Sequence, residues 1–463
     1  MPILAGFMVP HPPMIVPAVG RGSEKQVEKT TRAYEQAAEE IAALRPDTII
    51  ITSPHATMYA DYFHISPGKS ARGDFGQFRA GQESYRVDYD AELTSLISKL
   101  AREKGFPAGV MGERDRKLDH GTMVPLYFIR KAYPEMCKIV RIGLSGLPLT
   151  EHYRLGQMIR EAVDILGRRA VFVASGDLSH KLQSYGPYGF AAEGPQYDER
   201  IMDVCSRAAF GELFDFEESF CEKAAECGHR SFVIMAGAFD GLSVKAAQLS
   251  HEDVTGVGYG ICTFYPGEPD EGRHFLAQYL VKASEKLSAA RAQEDPYVQL
   301  ARKTVEMYVR DRVKPEVPAG LPPEMLSTRA GAFVSIHEHG KLRGCIGTIA
   351  PVRNCVAQEI IDNAVSASTR DPRFDPITAD ELEWLEISVD VLGEAEPIAS
   401  PAELDVKRYG VIVTKGTKRG LLLPGLDGVD TVEQQIAIAK SKAGIADWDK
   451  KVQLERFEVV RHH

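Results

Sequence analysis

The sequence predicts a layered α/β domain followed by a smaller α+β domain, and three observations carry that reading. Short apolar runs alternate with helical patterns over roughly the first 265 residues, as in a sheet covered by helices. The stretch Pro266-Gly-Glu-Pro-Asp-Glu-Gly272 then breaks all periodicity, in the manner of a linker. Beyond it, strand patterns alternate apolar with polar residues, as half-buried strands do. The expected division is residues 1–266, a linker and helix over 267–295, and a second domain over 296–463.

In chain order, strands are predicted at Ile3 to Val9, Thr48 to Thr52 and Ala170 to Ala174, where β-branched or apolar runs are bounded by Gly, Pro, Asp or Ser. Between the first two, Ser23 and Gln26 form a capping-box start for a helix carrying Val27, Tyr34, Ala38 and Ile41 at helical spacing. Further helices are expected near 90–104, 123–133, 150–166, 196–208 and 229–240, with a last strand near Gly258 to Phe264. In the second domain, helical patterns near 273–291 and from Pro296 to Arg310 precede strands near 331–337 and 343–349. Leu385, Ile387, Val389 and Val391 alternate as in a strand, and Val411 to Thr414 with Leu421 to Leu423 makes a hairpin. Asp430 and Glu433 read as a capping-box start for a helix ending near Gly444, and the terminal His462-His463 pair is given no role.

Composition excludes several classes of protein. With 44% hydrophobic and 26% charged residues, the 463-residue chain is neither disordered nor collagen-like. Lys and Arg number 55 against 65 Asp and Glu, a net charge of −10, so no global basic field attracts nucleic acid. No apolar run approaches the length of a membrane span, and the first residues lack the basic flank of a signal peptide, so a cytoplasmic location is expected. The 7 cysteines are dispersed and contain no Cys-x-x-Cys, which fits reduced thiols. A homo-oligomer is compatible with all of this.

The chemistry is expected where histidines follow strands. His11 in Val-Pro-His-Pro-Pro, His55 in Ser-Pro-His and His180 in Ser-Gly-Asp-Leu-Ser-His each lie just beyond a predicted strand. In open α/β sheets the ligand crevice lies outside the carboxyl ends of the strands, so three distant segments deliver imidazoles to one place. Imidazole both binds divalent metals and titrates near neutrality. Asp119-His120-Gly121 and Glu226-Cys227-Gly228-His229, the latter before the apolar run Ser231 to Phe239, join the candidates. Cys227 by itself reads equally well as a small buried thiol. Gly256-x-Gly258-x-Gly260 leads into a strand pattern and is no dinucleotide fingerprint, and neither a Walker A sequence nor a Gly-x-Ser-x-Gly elbow is present.

These segments, in this order and spacing, resemble the class III extradiol ring-cleavage dioxygenases of LigB type and, within that superfamily, the Memo-like branch. The resemblance implies an Fe(II) centre with His11 and His55 as ligands and a small aromatic or catechol-like substrate with O₂. It implies His180 as the main acid/base and His120 as a second proton donor or oxygen-binding group, with Asp119 or Asp177 orienting them. The family's third ligand, a glutamate, aligns with His229; Glu226 is three residues away, and the Memo-like branch carries a cysteine that matches Cys227. A thiolate or third imidazole in that position shifts the preference toward Cu or Zn. The alternative expectation is therefore a Memo-like metal-binding or redox protein without ring cleavage.

In the second domain, Leu342-Arg-Gly-Cys-Ile-Gly347 and Ser368-Thr-Arg-Asp-Pro-Arg-Phe-Asp375 resemble the AMMECR family, over about Pro296 to Val460. Gly344 and Gly347 allow close backbone approach around Cys345, and Arg343 is placed to lower its thiol pKa. Cys345 is then either a nucleophile or a packed thiol, and Arg373 either binds an anion or clamps its loop. His337 and His339 are expected on a solvated hairpin. The fusion resembles the AmmeMemoRadiSam arrangement, which implies a separate radical-SAM protein as partner, because the chain has no Cys-x₃-Cys-x₂-Cys of its own.

Overall fold

A computed structural model describes residues 3–114, 117–426 and 428–463, and the chain divides into two compact units, Met1–Leu280 and Val281–His463. The strands of the first unit are β1 (Ile3–Val9), β2 (Thr48–Ser53), β3 (Phe63–His64), β4 (Ser70–Phe75), β5 (Ala80–Asp88), β6 (Ala108–Gly109), β7 (Lys138–Gly143), β8 (Ala170–Ser175), β9 (Leu242–Glu252) and β10 (Tyr259–Pro269). Six of them form one sheet in the order β7-β2-β8-β1-β10-β9, the first four parallel and the last two antiparallel.

Every residue of β2 and β8 is buried, which explains their unbroken β-branched and apolar sequences: both faces of these central strands are covered. Alternate residues serve different cores. Ile50 and Phe172 pack with Phe232 on one side, whereas Ile49 and Val171 pack with Tyr34 on the other. Parallel strands need crossovers, supplied by helices such as Glu28–Leu44, Leu149–Leu166 and His229–Ala238. This strand order sets the carboxyl ends of β2, β8 and β1 side by side.

Two local expectations are corrected. Ser23 does not cap a helix: it begins a 3₁₀ turn, Ser23–Val27, entered through Gly22 at φ 108°, and the α-helix Glu28–Leu44 starts without a side-chain cap. Pro266 to Pro269, expected in a linker, continue β10 against Val244 and Leu242 of β9. β1 pairs with β10 only from Cys262 to Phe264, so the prolines sit where β10 is open on its β1 side, an edge position that tolerates them. The division between units falls inside the helix Phe275–Arg291.

The second unit holds β11 (Ala332–Glu338), β12 (Lys341–Gly347), β13 (Leu385–Leu392), β14 (Glu396–Ile398), β15 (Gly410–Lys415), β16 (Lys418–Leu422), β17 (Gln453–Phe457) and β18 (Val459–His462). They make two four-stranded antiparallel sheets, β12-β11-β13-β18 and β14-β17-β15-β16. Helices Pro296–Asp311 and Val356–Thr369 cover one face of the first sheet, burying Val305 and Ile360 against Val334, Ile336 and Val389. His339 and Gly340, both at positive φ, form the two-residue turn of the β11–β12 hairpin. His337 is half-buried, not solvated as expected. The capping box of the helix Val432–Lys442 is Thr431 with Gln434, one residue beyond the pair expected. His462 bonds to Asp295 and stacks on Tyr297 at 3.8 Å, so a residue given no role is built into the sheet. Among the described residues, no helix is long and apolar enough to cross a membrane.

Candidate metal centre

The centre forms where β1, β8 and β2 end. His11 lies two residues past Val9, and Asp177 two past Ser175, its β8 partner. His55 lies two past Ser53 at the end of β2. His120 opens the helix His120–Ala132, whose N-cap is Asp119. The ligand atoms of His11, His55 and His120 all lie within 4.8 Å of one another. His11 Nε2 and His55 Nε2 are 3.0 Å apart, and the rings of His55 and His120 are 4.0 Å apart. Cys227 Sγ lies 3.6 Å from His11 Nε2.

The surrounding bonds aim these groups. The Ser175 hydroxyl has one proton, and it is given to the carbonyl of Gly121 at 2.6 Å. Ser175 Oγ therefore accepts from His11 Nδ1 at 3.0 Å, which leaves the lone pair of His11 on Nε2, facing the cluster. The His11 backbone N–H is held at 2.6 Å by Asp177. Asp119 accepts from Thr122, from Ser53 at 2.5 Å and from the buried Arg141 at 3.0 Å, while Ser53 Oγ accepts from the His55 backbone N–H at 3.2 Å. Asp119 thus positions His55 through Ser53.

Glycines bring the last segment in. A Cβ on Gly176 would lie 2.1 Å from Gly228 Cα, so only two glycines permit this backbone approach. It lets the Asp177 backbone N–H donate to Cys227 Sγ at 3.3 Å and places the thiol beside His11.

His180 donates Nδ1–H to the carbonyl of Ala225, leaving Nε2 as acceptor, and its ring meets Tyr188 edge-on at 5.1 Å. Phe78 meets His120 similarly at 5.5 Å. Sequence reasoning missed both aromatic neighbours; for Tyr188 the dense aromatic run Tyr185-Gly-Pro-Tyr-Gly-Phe190 was the available signal.

His229 is the expectation the geometry overturns. It is buried, its Nε2–H donates to the Leu213 carbonyl at 2.9 Å, and Nδ1 faces the Tyr197 hydroxyl at 3.4 Å. As the first residue of its helix it points into the core. Glu226 is also engaged, accepting at 2.6 Å from the His229 backbone N–H at the helix start.

Burial, reinforced by the charge of His55, lowers the pKa of His11 to about 3. Burial with His55 and His11 lowers that of His120 to about 4, and burial lowers that of His55. All three are neutral at neutral pH, the form that binds metal. Burial alone would raise the Asp119 carboxyl, but Arg141, Ser53 and Thr122 outweigh it and hold the group below its ordinary value. Burial, with Asp177 and Glu226, pushes the Cys227 thiol up, an effect a bound cation reverses.

The donor set fits a metal ion. Two ligand atoms each about 2.1–2.3 Å from one ion stand between about 3 Å apart at right angles and a little over 4 Å apart on opposite sides. His11–His55 and His11–Cys227, at 3.0 and 3.6 Å, both fall in this range. His11 is buried and His55 exposed, so the seat has one dry and one open wall.

In the second unit, Arg343 does not serve Cys345. It is held by Glu381 at 2.6 Å and by the carbonyl of Asp375 at 2.8 Å. Arg373 borders Cys345 instead, donating to its carbonyl at 3.2 Å.

Residues 5–262 match the model of the catalytic LigB subunit of aromatic ring-opening dioxygenase, and residues 298–462 match AMMECR1. A protein of Clostridium acetobutylicum is 42% identical over 465 residues, covering 98% of both chains. A Thermotoga maritima protein is 51% identical over 170 residues, 36% of this chain and 98% of its own. The 2-aminophenol 1,6-dioxygenase beta subunit of a Pseudomonas species is 28% identical over 290 residues, 56% of this chain and 92% of that subunit.

Proposed function

Because this chain belongs to the family of the catalytic LigB subunit of aromatic ring-opening dioxygenase and carries an AMMECR1 domain after it, we propose that its first unit is a non-haem metal-dependent oxidoreductase that brings O₂ to a small aromatic compound of the catechol or 2-aminophenol kind. The observation that carries this reading is the convergence of His11, His55 and His120 at the ends of parallel strands. These three residues would hold the metal, Fe(II) in this reading, with Cys227 beside them. Such a metal supplies a Lewis acid for a phenolic oxygen and a path for electrons to dioxygen.

The chain's own residues do the rest. His180, with Nδ1–H spent on Ala225, presents Nε2 as acceptor for a phenolic proton and returns it later. Phe78 and Tyr188 offer ring faces and edges to an aromatic substrate that arrives on the open His55 side. In this reading His120 holds metal and is not the proton donor that the family resemblance implies.

The test is O₂ uptake by anaerobically purified, Fe(II)-loaded full-length protein given catechols and 2-aminophenols. Uptake with ring-opened products, lost in His180→Ala at unchanged iron content, supports the reading. Iron-loaded protein that consumes no O₂ with any of them ends it.

Cys227 favours a second reading. A thiol 3.6 Å from His11 Nε2 suits Cu or Zn, in a Memo-like metal-binding or redox protein that works with a radical-SAM partner. Copper or zinc in the isolated protein, lost in Cys227→Ser, supports this alternative.

A further inference from the structure

The second unit contains a cleft of about 1100 Å³ that the reading above does not use. Its chemistry follows from strand alternation in β12. A Cβ on Gly344 would lie 2.2 Å from the carbonyl oxygen of Ala367, so Gly344 faces the helix Val356–Thr369. Cys345, the next residue, faces the opposite side and lines the cleft. Ser335, its partner across β11, donates its hydroxyl to Cys345 Sγ at 3.2 Å.

Two cations share the cleft with this sulfur. Asp371 accepts from the Cys345 backbone N–H at 2.9 Å and takes Arg373 at 2.9 and 2.7 Å, which fixes the guanidinium beside the thiol. Lys442, on the last turn of the helix Val432–Lys442, lines the same cleft close enough for its ammonium to feel both Cys345 and Arg373. Arg291, Arg302, Arg419 and Arg461 also line the cleft. Arg291 is spent on the backbone carbonyls of Leu382 and Glu383, and the other three are paired with Glu294, Glu455 and Asp390, as Arg373 is with Asp371. Arg373 alone of these donates to the Cys345 carbonyl. Lys442 has no such partner among the described residues.

We propose that this cleft is a reaction site for a small carboxylate-bearing electrophile, in which Lys442 and Arg373 receive the carboxylate and the Cys345 sulfur bonds to the adjacent carbon. The sulfur loses its proton to water and attacks. A carbon–sulfur bond forms as the bond to the leaving group breaks, and the leaving group departs with the electron pair.

Iodoacetate has this chemistry and iodoacetamide is its neutral twin; ordinary thiols react faster with the neutral reagent. The full-length protein is treated with each in parallel, and peptide mass spectrometry follows Cys345 with Cys355 as the internal reference. Expected is a preference for iodoacetate at Cys345 about tenfold greater than at Cys355, the scale of electrostatic focusing in a charged cleft. Lys442 is an exposed side chain, so Lys442→Gln, checked for folding by circular dichroism, should remove most of that preference. Acetate should protect Cys345 better than phosphate at equal ionic strength. A Cys345 ratio equal to that of Cys355, a preference untouched by Lys442→Gln, or equal protection by phosphate would overturn the proposal.

Discussion

The two candidate sites collect their groups in opposite ways. In the first unit the donors come from positions 11, 55, 120 and 227, and only the strand order β2-β8-β1 makes them neighbours. In the second, Cys345 and Ser335 belong to one hairpin, and Arg373 and Lys442 are brought against it from other segments. The first site has its charges satisfied and its imidazoles neutral, ready for a cation. The second sets cations beside a soft nucleophile, ready for an anion. The fold's topology builds the one, and strand alternation within a single hairpin builds the nucleophile's half of the other.

The largest expected effect separates the two sites outright. The double variant His11→Ala/His55→Ala should lose stoichiometric metal by elemental analysis, whereas Cys345→Ser should retain all of it; equal loss in both would break the distinction. Next comes the support beneath the first site. Arg141 is buried against Asp119, and Arg141→Met should cost about 3 kcal/mol in denaturant unfolding, because it removes the cation from a largely buried carboxylate that keeps only its bonds from Ser53 and Thr122. Ser175→Ala should weaken metal binding about 10- to 100-fold in competition titrations, since the hydrogen bond that aims His11 is lost together with the one from Ser175 to the Gly121 carbonyl.

The smallest effect belongs to the second site. The side-chain hydrogen bond from Arg373 holds the Asp371 carboxyl at about 2, below its unfolded value. Its contribution to stability is therefore present above the ordinary carboxylate range and fades between about pH 4 and pH 2. Both tryptophans, Trp384 and Trp448, lie in the second unit, so tryptophan fluorescence should register acid unfolding there, and Asp371→Asn should flatten that part of the curve.

The layered sheet was legible because β1, β2 and β8 are covered on both faces and so carry unbroken apolar signals. β9 escaped notice because it is an edge strand whose mixture of Ala, Ser, Lys and Gln reflects partial exposure. His11, His55, His120 and Cys227 were legible as candidates because residues just past parallel strands and before helix starts tend to meet. Which way a ring points was not legible. His229 looked equivalent to Cys227, yet two residues further on, the backbone enters a helix and turns the side chain to Leu213. Arg343 stands two residues from Cys345 in sequence and was the natural choice over Arg373, but Glu381 and the Asp375 carbonyl lie far along the chain and claim it.

The contact between Gly176 and Gly228 has a consequence for how this centre can vary. Neither side can be trimmed to make room for a larger residue on the other, because no amino acid is smaller than glycine. A substitution at either position is accommodated only by moving a whole segment, and with it Asp177 or Cys227. The two loops, some fifty residues apart, are therefore tied into a single heritable unit, and drift in one is visible to selection through the other.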